Sequence, residues 1–329
     1  MHAAPLAAAL TLALAAAGCG KDGGPPPILG PDPVTVAPLT TGGTNERGPA
    51  WSPDGTRIAF SSDRSGAYNL YLLDLATRAV RRLTTSSFDH QLPSWSPGGS
   101  RLVFESLEYD DLFIVPAAGG EATPFFASPA PSSIELAPAW SPDSVSIAFA
   151  SNAVGNNFNL FIGGTERDTL IQITSTISEE GDPAWSPDGT RLAFRSNNVT
   201  GDRDIWIFDF RDTTVTRIAP AADDDVRPAW SPDGNFLAWA SDRSGNRELW
   251  AIDLRGGVPV QLTLNSADDT TPAWSPDGRS IAFSSNRSGS WDVWLATGLD
   301  SVLATSRTMA AAATPRPPAA RPIARRRTP

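Results

Sequence analysis

Along most of the chain, apolar residues fall in short alternating runs rather than at helical spacing. Arg57-Ile58-Ala59-Phe60-Ser61 is one such run, and Ser280-Ile281-Ala282-Phe283-Ser284 is another. A period of two marks a strand. Within the runs, one face is bulky (Ile58, Phe60) and the other small but still apolar (Ala59); Leu192-Ala193-Phe194 and Leu237-Ala238-Trp239 repeat this. A strand apolar on both faces belongs in a sheet covered on both sides. Polar turns such as Asp63-Arg64-Ser65-Gly66 and Asp242-Arg243-Ser244-Gly245 follow, then a second run (Leu70-Tyr71-Leu72-Leu73) and a third (Val80-Arg81-Arg82-Leu83-Thr84).

The runs belong to a repeat. Pro-x-Trp-Ser-Pro occurs six times, with Trp51, Trp95, Trp140, Trp185, Trp230 and Trp274 at nearly constant spacing. Each unit reads as four short strands. Pro53-Asp54-Gly55 forms the first turn: Pro presets its backbone angle and Gly accepts the left-handed one. The repeats resemble the Trp-Ser-Pro-Asp-Gly repeats of TolB-type β-propellers, which also occur in the tricorn and prolyl-oligopeptidase families. The resemblance covers residues 34–299 and implies an all-β, six-bladed β-propeller with four-stranded blades. Pro97-Gly98-Gly99 and Pro142-Asp143-Ser144 depart from the motif but remain turn-compatible.

Counting also predicts how the ring closes. Leu83, Ile173, Ile218 and Leu262 end fourth strands at one constant interval before the next repeat Trp, which is Trp95, Trp185, Trp230 or Trp274. Leu39 stands at that same interval before Trp51 without a blade of its own, while the sixth unit has no good fourth strand. The segment Val34 to Thr40 is therefore expected to be the outer strand of the sixth blade.

At one fixed place before each repeat Trp stand Glu46, His90, Glu135, Glu180, Asp225 and Asp269. Pseudo-symmetry would set them around the channel mouth, with Asp89, Glu179, Asp182, Asp223, Asp224 and Asp268 adding charge. Such a ring favours a basic peptide segment or a divalent cation, carboxylates suiting calcium or magnesium; no cofactor is expected, with calcium at the channel mouth the alternative. The competing reading is structural: turn residues bonding their own backbone. The repeat Trp residues, with Trp206, Trp250 and Trp294, fit inter-blade core, whereas Trp291 breaks the pattern and is expected to be exposed. Arg in the Asp-Arg-Ser-Gly turns would be available to a partner's carboxylate.

Composition narrows the function classes. The net charge is −10, which argues against a nucleic-acid partner. Residues 1–299 hold 35 acidic and 20 basic residues, so the body is more acidic than the total. His2 and His90 are the two histidines, too few for a multi-histidine metal site. No Gly-x-Ser-x-Gly elbow occurs, and there is no room for the α/β domain in which propeller-linked peptidases carry their triad. TolB itself has an additional N-terminal α/β domain, for which the residues between Cys19 and the first strand leave no space.

The apolar run Ala3 to Ala17 suits a signal sequence, so residues 1–18 read as a signal peptide. Ala16-Ala17-Gly18-Cys19 resembles the bacterial lipobox, which implies lipidation of Cys19 and a lipidated tether over residues 19–33. A plain secretory signal with an incidental cysteine is the alternative. Residues 300–329, rich in Ala, Pro and Arg, are expected to be a disordered basic tail. Together these point to a monomeric, non-enzymatic lipoprotein of the periplasmic side of the cell envelope. Its expected role is a protein-binding scaffold or accessory factor, with an envelope protein as partner. The alternative is a metal-dependent, lactonase-like hydrolase working at the acidic channel mouth.

Overall fold

The computed structural model describes residues 32–125, 133–154, 157–165, 169–197 and 201–313. Six four-stranded antiparallel sheets form the blades of a β-propeller. Blade 1 runs through Glu46–Trp51, Arg57–Ser65, Ala67–Asp74 and Val80–Arg82, and each later blade repeats this order from the inside outwards. The inner strands start on what we term the upper face, which also carries the turns between second and third strands. The lower face carries the Trp-Ser-Pro-Asp-Gly turns.

Blade 6 is composite. Thr35–Pro38 pairs antiparallel with Asp292–Thr297, placing Thr35 opposite Thr297 and Pro38 opposite Trp294. The ring thus closes with an N-terminal strand, as the spacing predicts. Asp32 latches the same seam: Oδ1 accepts from Leu264 N at 2.7 Å and Oδ2 meets Arg287 at 2.6 Å. The expected tether boundary at residue 33 is therefore too late, because Asp32 already belongs to the folded body.

The large-and-small alternation packs one blade on the next. Ile58 and Phe60 of blade 1 face Ala282 of blade 6, while Ala59 faces Leu102 and Phe104 of blade 2. Ala148 against Leu192 and Phe194, and Ala193 against Leu237 and Trp239, repeat the arrangement. Burying each bulky side chain stabilises the fold by roughly 1.5–3 kcal/mol. The repeat Trp also ties blades together. Trp51 Nε1 donates to Ala273 O at 3.1 Å, Trp95 to Ala50 O at 3.1 Å and Trp230 to Ala184 O at 3.0 Å.

The rest of the motif is a turn knot. Ser52 Oγ donates to Asp54 Oδ1 at 2.6 Å and accepts from Arg57 N at 2.9 Å, while Gly55 adopts φ 70°. These bonds, led by the Ser52 hydroxyl, hold the Asp54 carboxyl at about 2. In blade 3 the same left-handed position is taken by Ser144, at φ 66°.

One expectation fails in part. Leu299–Ala313 is an α-helix, α1, rather than disordered tail. Leu299 and Leu303 are buried against blades 5 and 6. Ser306 Oγ donates to Val258 O at 2.6 Å, and Arg307 pairs with Asp253. Ala and Leu are strong helix formers, and judging residues 300–329 as one segment averaged them with the Pro and Arg beyond. Residues 314–329 of that tail, Cys19, the signal segment and the rest of the tether lie outside the described residues. Among the described residues, no helix is long and apolar enough to cross a membrane.

Candidate functional site

The six positions Glu46, His90, Glu135, Glu180, Asp225 and Asp269 do occupy equivalent places, each opening an inner strand. They do not ring the channel mouth. All six are buried, and none lines the axial cavity. Each stands opposite a serine at the end of its blade's second strand: Ser62, Ser106, Ser151, Ser196, Ser241 and Ser285. Ser62 Oγ donates to Glu46 at 2.9 Å, Ser151 to Glu135 at 2.8 Å and Ser196 to Glu180 at 3.1 Å. These are strand residues bonded by serine side chains across the sheet, not turn residues bonding their own backbone.

A bulge explains the displacement. In every inner strand the register slips between the second and fifth residues, as between Arg47 and Ala50. The residue in the bulge has a left-handed backbone in all six blades: Gly48, Leu92, Ala137, Asp182, Arg227 and Thr271, at φ 50–61°. These bulge residues and the prolines that follow them line an axial cavity of about 130 Å3. The bulge turns the chain so that its third residue, not its first, meets the axis.

Charge pairs stand at the axial cavity. Asp182 meets Arg195 Nε at 2.9 Å and Arg227 Nη1 at 3.0 Å. Arg195 lies across Gly181, where a Cβ would come within 2.8 Å of its guanidinium. Glu105 accepts from Ala137 N, and burial raises its pKa against the pull of Arg227.

The turn arginines are spent internally rather than offered to a partner. Arg64 pairs with Glu46 at 3.0 Å, Arg243 with Asp225 at 2.7 Å and Arg287 with Asp269 at 2.6 Å. Burial raises the pKa of Asp225 and Asp269, and their arginines oppose it. Glu135 and Glu180 have only hydroxyls to oppose burial. Burial lifts Glu135 to about 7, with Asp111 adding to the rise, and raises Glu180 as well. Burial lowers the pKa of His90, whose ring lies 4.7 Å from that of Phe104. Trp291, expected to be exposed, is half-buried under the Arg47 guanidinium, 4.4 Å from the ring centre.

Calcium can be tested on the donor set. Asp32, Glu248 and Asp269 bring carboxylate oxygens within 4.8 Å of one another. The Arg287 guanidinium already bridges two of them, at 2.6 Å from both Asp32 and Asp269. Glu248, lifted to about 7 mainly by burial, is held by Thr263 Oγ1 and Asn265 N at 2.6 Å each. A cluster holding its own cation does not fit a calcium ion, which needs six to eight free oxygens.

Sequence reasoning named Asp182 as a channel-mouth acid, and it does line the axial cavity; it missed the partners Arg227, in the same bulge position of the next blade, and Arg195, on the second strand opposite Gly181. It could have found the serines: each follows its inner-strand partner at the same interval in every repeat.

The profile of the TolB beta propeller domain family matches residues 39–133, 128–228 and 202–314. The fold is similar to that of TolB from Acinetobacter baumannii (TM-score 0.63, 19% identity, 72% of this chain). This chain spans 59% of that TolB's length. It is also similar to the oligogalacturonate lyase of Vibrio parahaemolyticus (TM-score 0.60, 15% identity, 83% of this chain and 96% of that one). A gluconolactonase of Xanthomonas campestris compares at TM-score 0.64 and 15% identity, over 83% and 97%. At these identities the likeness is one of fold. No curated protein matches the chain significantly.

Proposed function

This chain belongs to the TolB beta propeller domain family, and on that premise we propose that it works by binding, as a scaffold or accessory factor for another polypeptide. The observation that carries this is the pairing of the axial charges. Asp182, which lines the axial cavity, is held between Arg195 and Arg227, and the inner-strand acids are committed to their own blades. The recognition surface is then the upper face, which displays Phe88, Leu107, Tyr109, Val154 and Ile177. The Ala3 to Ala17 run and Cys19 support a position at the periplasmic side of the envelope, on a lipid anchor.

Crosslinking the full chain in envelope extracts tests the proposal. A discrete polypeptide partner is expected, and its capture should fall when upper-face residues are changed. Turnover of a lactone in the presence of calcium, with no polypeptide captured, would overturn it. That outcome belongs to a metal-dependent hydrolase, the second reading, although the carboxylates of Asp32 and Asp269 are already bridged by Arg287. It requires calcium to displace Arg287 from two carboxylates, so calorimetry with calcium tests it directly.

A further inference from the structure

Between blades 1 and 2 a groove of about 540 Å3 runs down the perimeter. One wall is the loop of residues 83–87, which links the two blades. The other is the third strand of blade 2, Asp111–Pro116, with the segments on either side of it. Among its walls lie His90, Ser106 and Phe113. His90 is only 8% exposed, yet its Nδ1 has no hydrogen-bond partner. A buried ring nitrogen without a partner is costly unless something meets it.

The ends of the groove are acidic. Glu108 precedes the third strand and Glu121 follows it, both exposed. The strand itself sets the distance between the two ends, a span of about 20 Å. Among the described residues, no Lys or Arg lines the groove. Two arginines of the fourth strand of blade 1 stand close by and are bonded to backbone: Arg82 Nε donates to Thr84 O at 2.7 Å, and Arg81, beside Gly119 towards the lower end, donates to Ala117 O at 2.7 Å and Ala118 O at 3.3 Å. Tyr109 at the upper end is 59% exposed, and Phe88, beside the same loop, is 47% exposed.

We propose that this groove takes an extended basic segment of the partner polypeptide, with lysine or arginine side chains reaching Glu108 and Glu121. The inference rests on the binding reading above and names the chemistry of its partner. An extended chain covers the span in about six residues. Tyr109 offers a ring face to a cation, and carboxylates at both ends fix the register.

The test uses the full chain and fluorescein-labelled hexalysine at low salt, read by anisotropy. Glu108→Gln with Glu121→Gln should weaken binding about tenfold. Asp212→Asn with Asp300→Asn makes the same charge change on the lower face and should leave binding unchanged. Equal weakening by both pairs would mean diffuse attraction to an acidic body and would overturn the groove. So would binding of chitotriose in place of hexalysine, which would make it a saccharide site. Undiminished crosslinking of the envelope partner by the Glu108 and Glu121 double variant also overturns the groove while leaving the scaffold reading standing. No partner for the wild-type chain overturns the scaffold reading itself.

Discussion

Blades 1, 5 and 6 and blades 2, 3 and 4 solve the same problem differently. Each half buries a polar side chain at the start of its inner strands. In blades 1, 5 and 6 that side chain is Glu46, Asp225 or Asp269, and the turn after the second strand sends back Arg64, Arg243 or Arg287. These arginines also lie over core rings: Arg64 over Tyr71, Arg243 over Trp250, Arg287 over Trp294. In blades 2, 3 and 4 the side chain is His90, Glu135 or Glu180, and the corresponding turns carry no such arginine. Serine and threonine hydroxyls serve Glu135 and Glu180 instead. At these positions one half sets an arginine against the buried acid, and in the other burial raises Glu135 and Glu180 with no arginine to oppose it. The half without arginine turns is also the one whose upper loops expose Leu107, Tyr109, Val154 and Ile177. Freed from folding inwards, those loops can face a partner.

The largest contrast should come from removing an arginine. Arg287→Met leaves Asp269 and Asp32 without their shared cation, and breaking a buried pair from one side costs about 3–5 kcal/mol. Urea denaturation at pH 7 measures it. Arg287→Met with Asp269→Asn should recover most of the loss, since the stranded charge goes with its partner. A loss below about 1 kcal/mol in the single variant would mean that solvent, not Arg287, balances these carboxylates.

The other half should show itself through pH. Glu135 is buried and sits at about 7, against an unfolded value near 4.5. Because the folded state holds the proton more tightly, stability is greatest below the unfolded value and falls as pH rises through 7. The decline between pH 5 and 8 is about 2 kcal/mol for this group alone. Glu135→Gln mimics the protonated side chain and should flatten that slope. A slope identical to wild type would show that Glu135 is ionised in the folded protein.

The two halves were unequally legible in the sequence. Fold and closure followed from repetition: six Trp-Ser-Pro copies, the two-faced second strands, and Leu39 standing before Trp51 at the fourth-strand interval without a blade. The six inner-strand positions were also found by spacing, but not their environment. Whether an acid such as Glu180 faces a channel or a serine depends on the bulge that follows it in the strand. Thr271, Arg227 and Leu92 enter that left-handed position despite being residues that rarely favour it. Only six-fold tertiary context imposes it. Helix α1 was missed for the opposite reason, since Leu299, Leu303 and Ser306 carry a local helical spacing that the charge of the whole tail concealed.

The smallest effect sharpens the comparison, because it separates a buried arginine from an exposed one. Blade 4 has ion pairs on its upper side: Arg217 with Asp204 at 2.7 Å, whose carboxylate is buried, and Arg203 with Asp224 at 2.9 Å, whose side chains are 45% and 27% exposed. Water and salt screen the exposed pair, and holding two long side chains costs entropy. Arg203→Ala should cost less than about 0.5 kcal/mol at low salt, and nothing measurable in molar salt. The cost of Arg287→Met should persist under the same salt, because its charges lie beneath the surface. If the two losses responded alike to salt, burial would not be what distinguishes the halves. The arginine turns of blades 1, 5 and 6 would then be ordinary surface pairs that happen to point inwards.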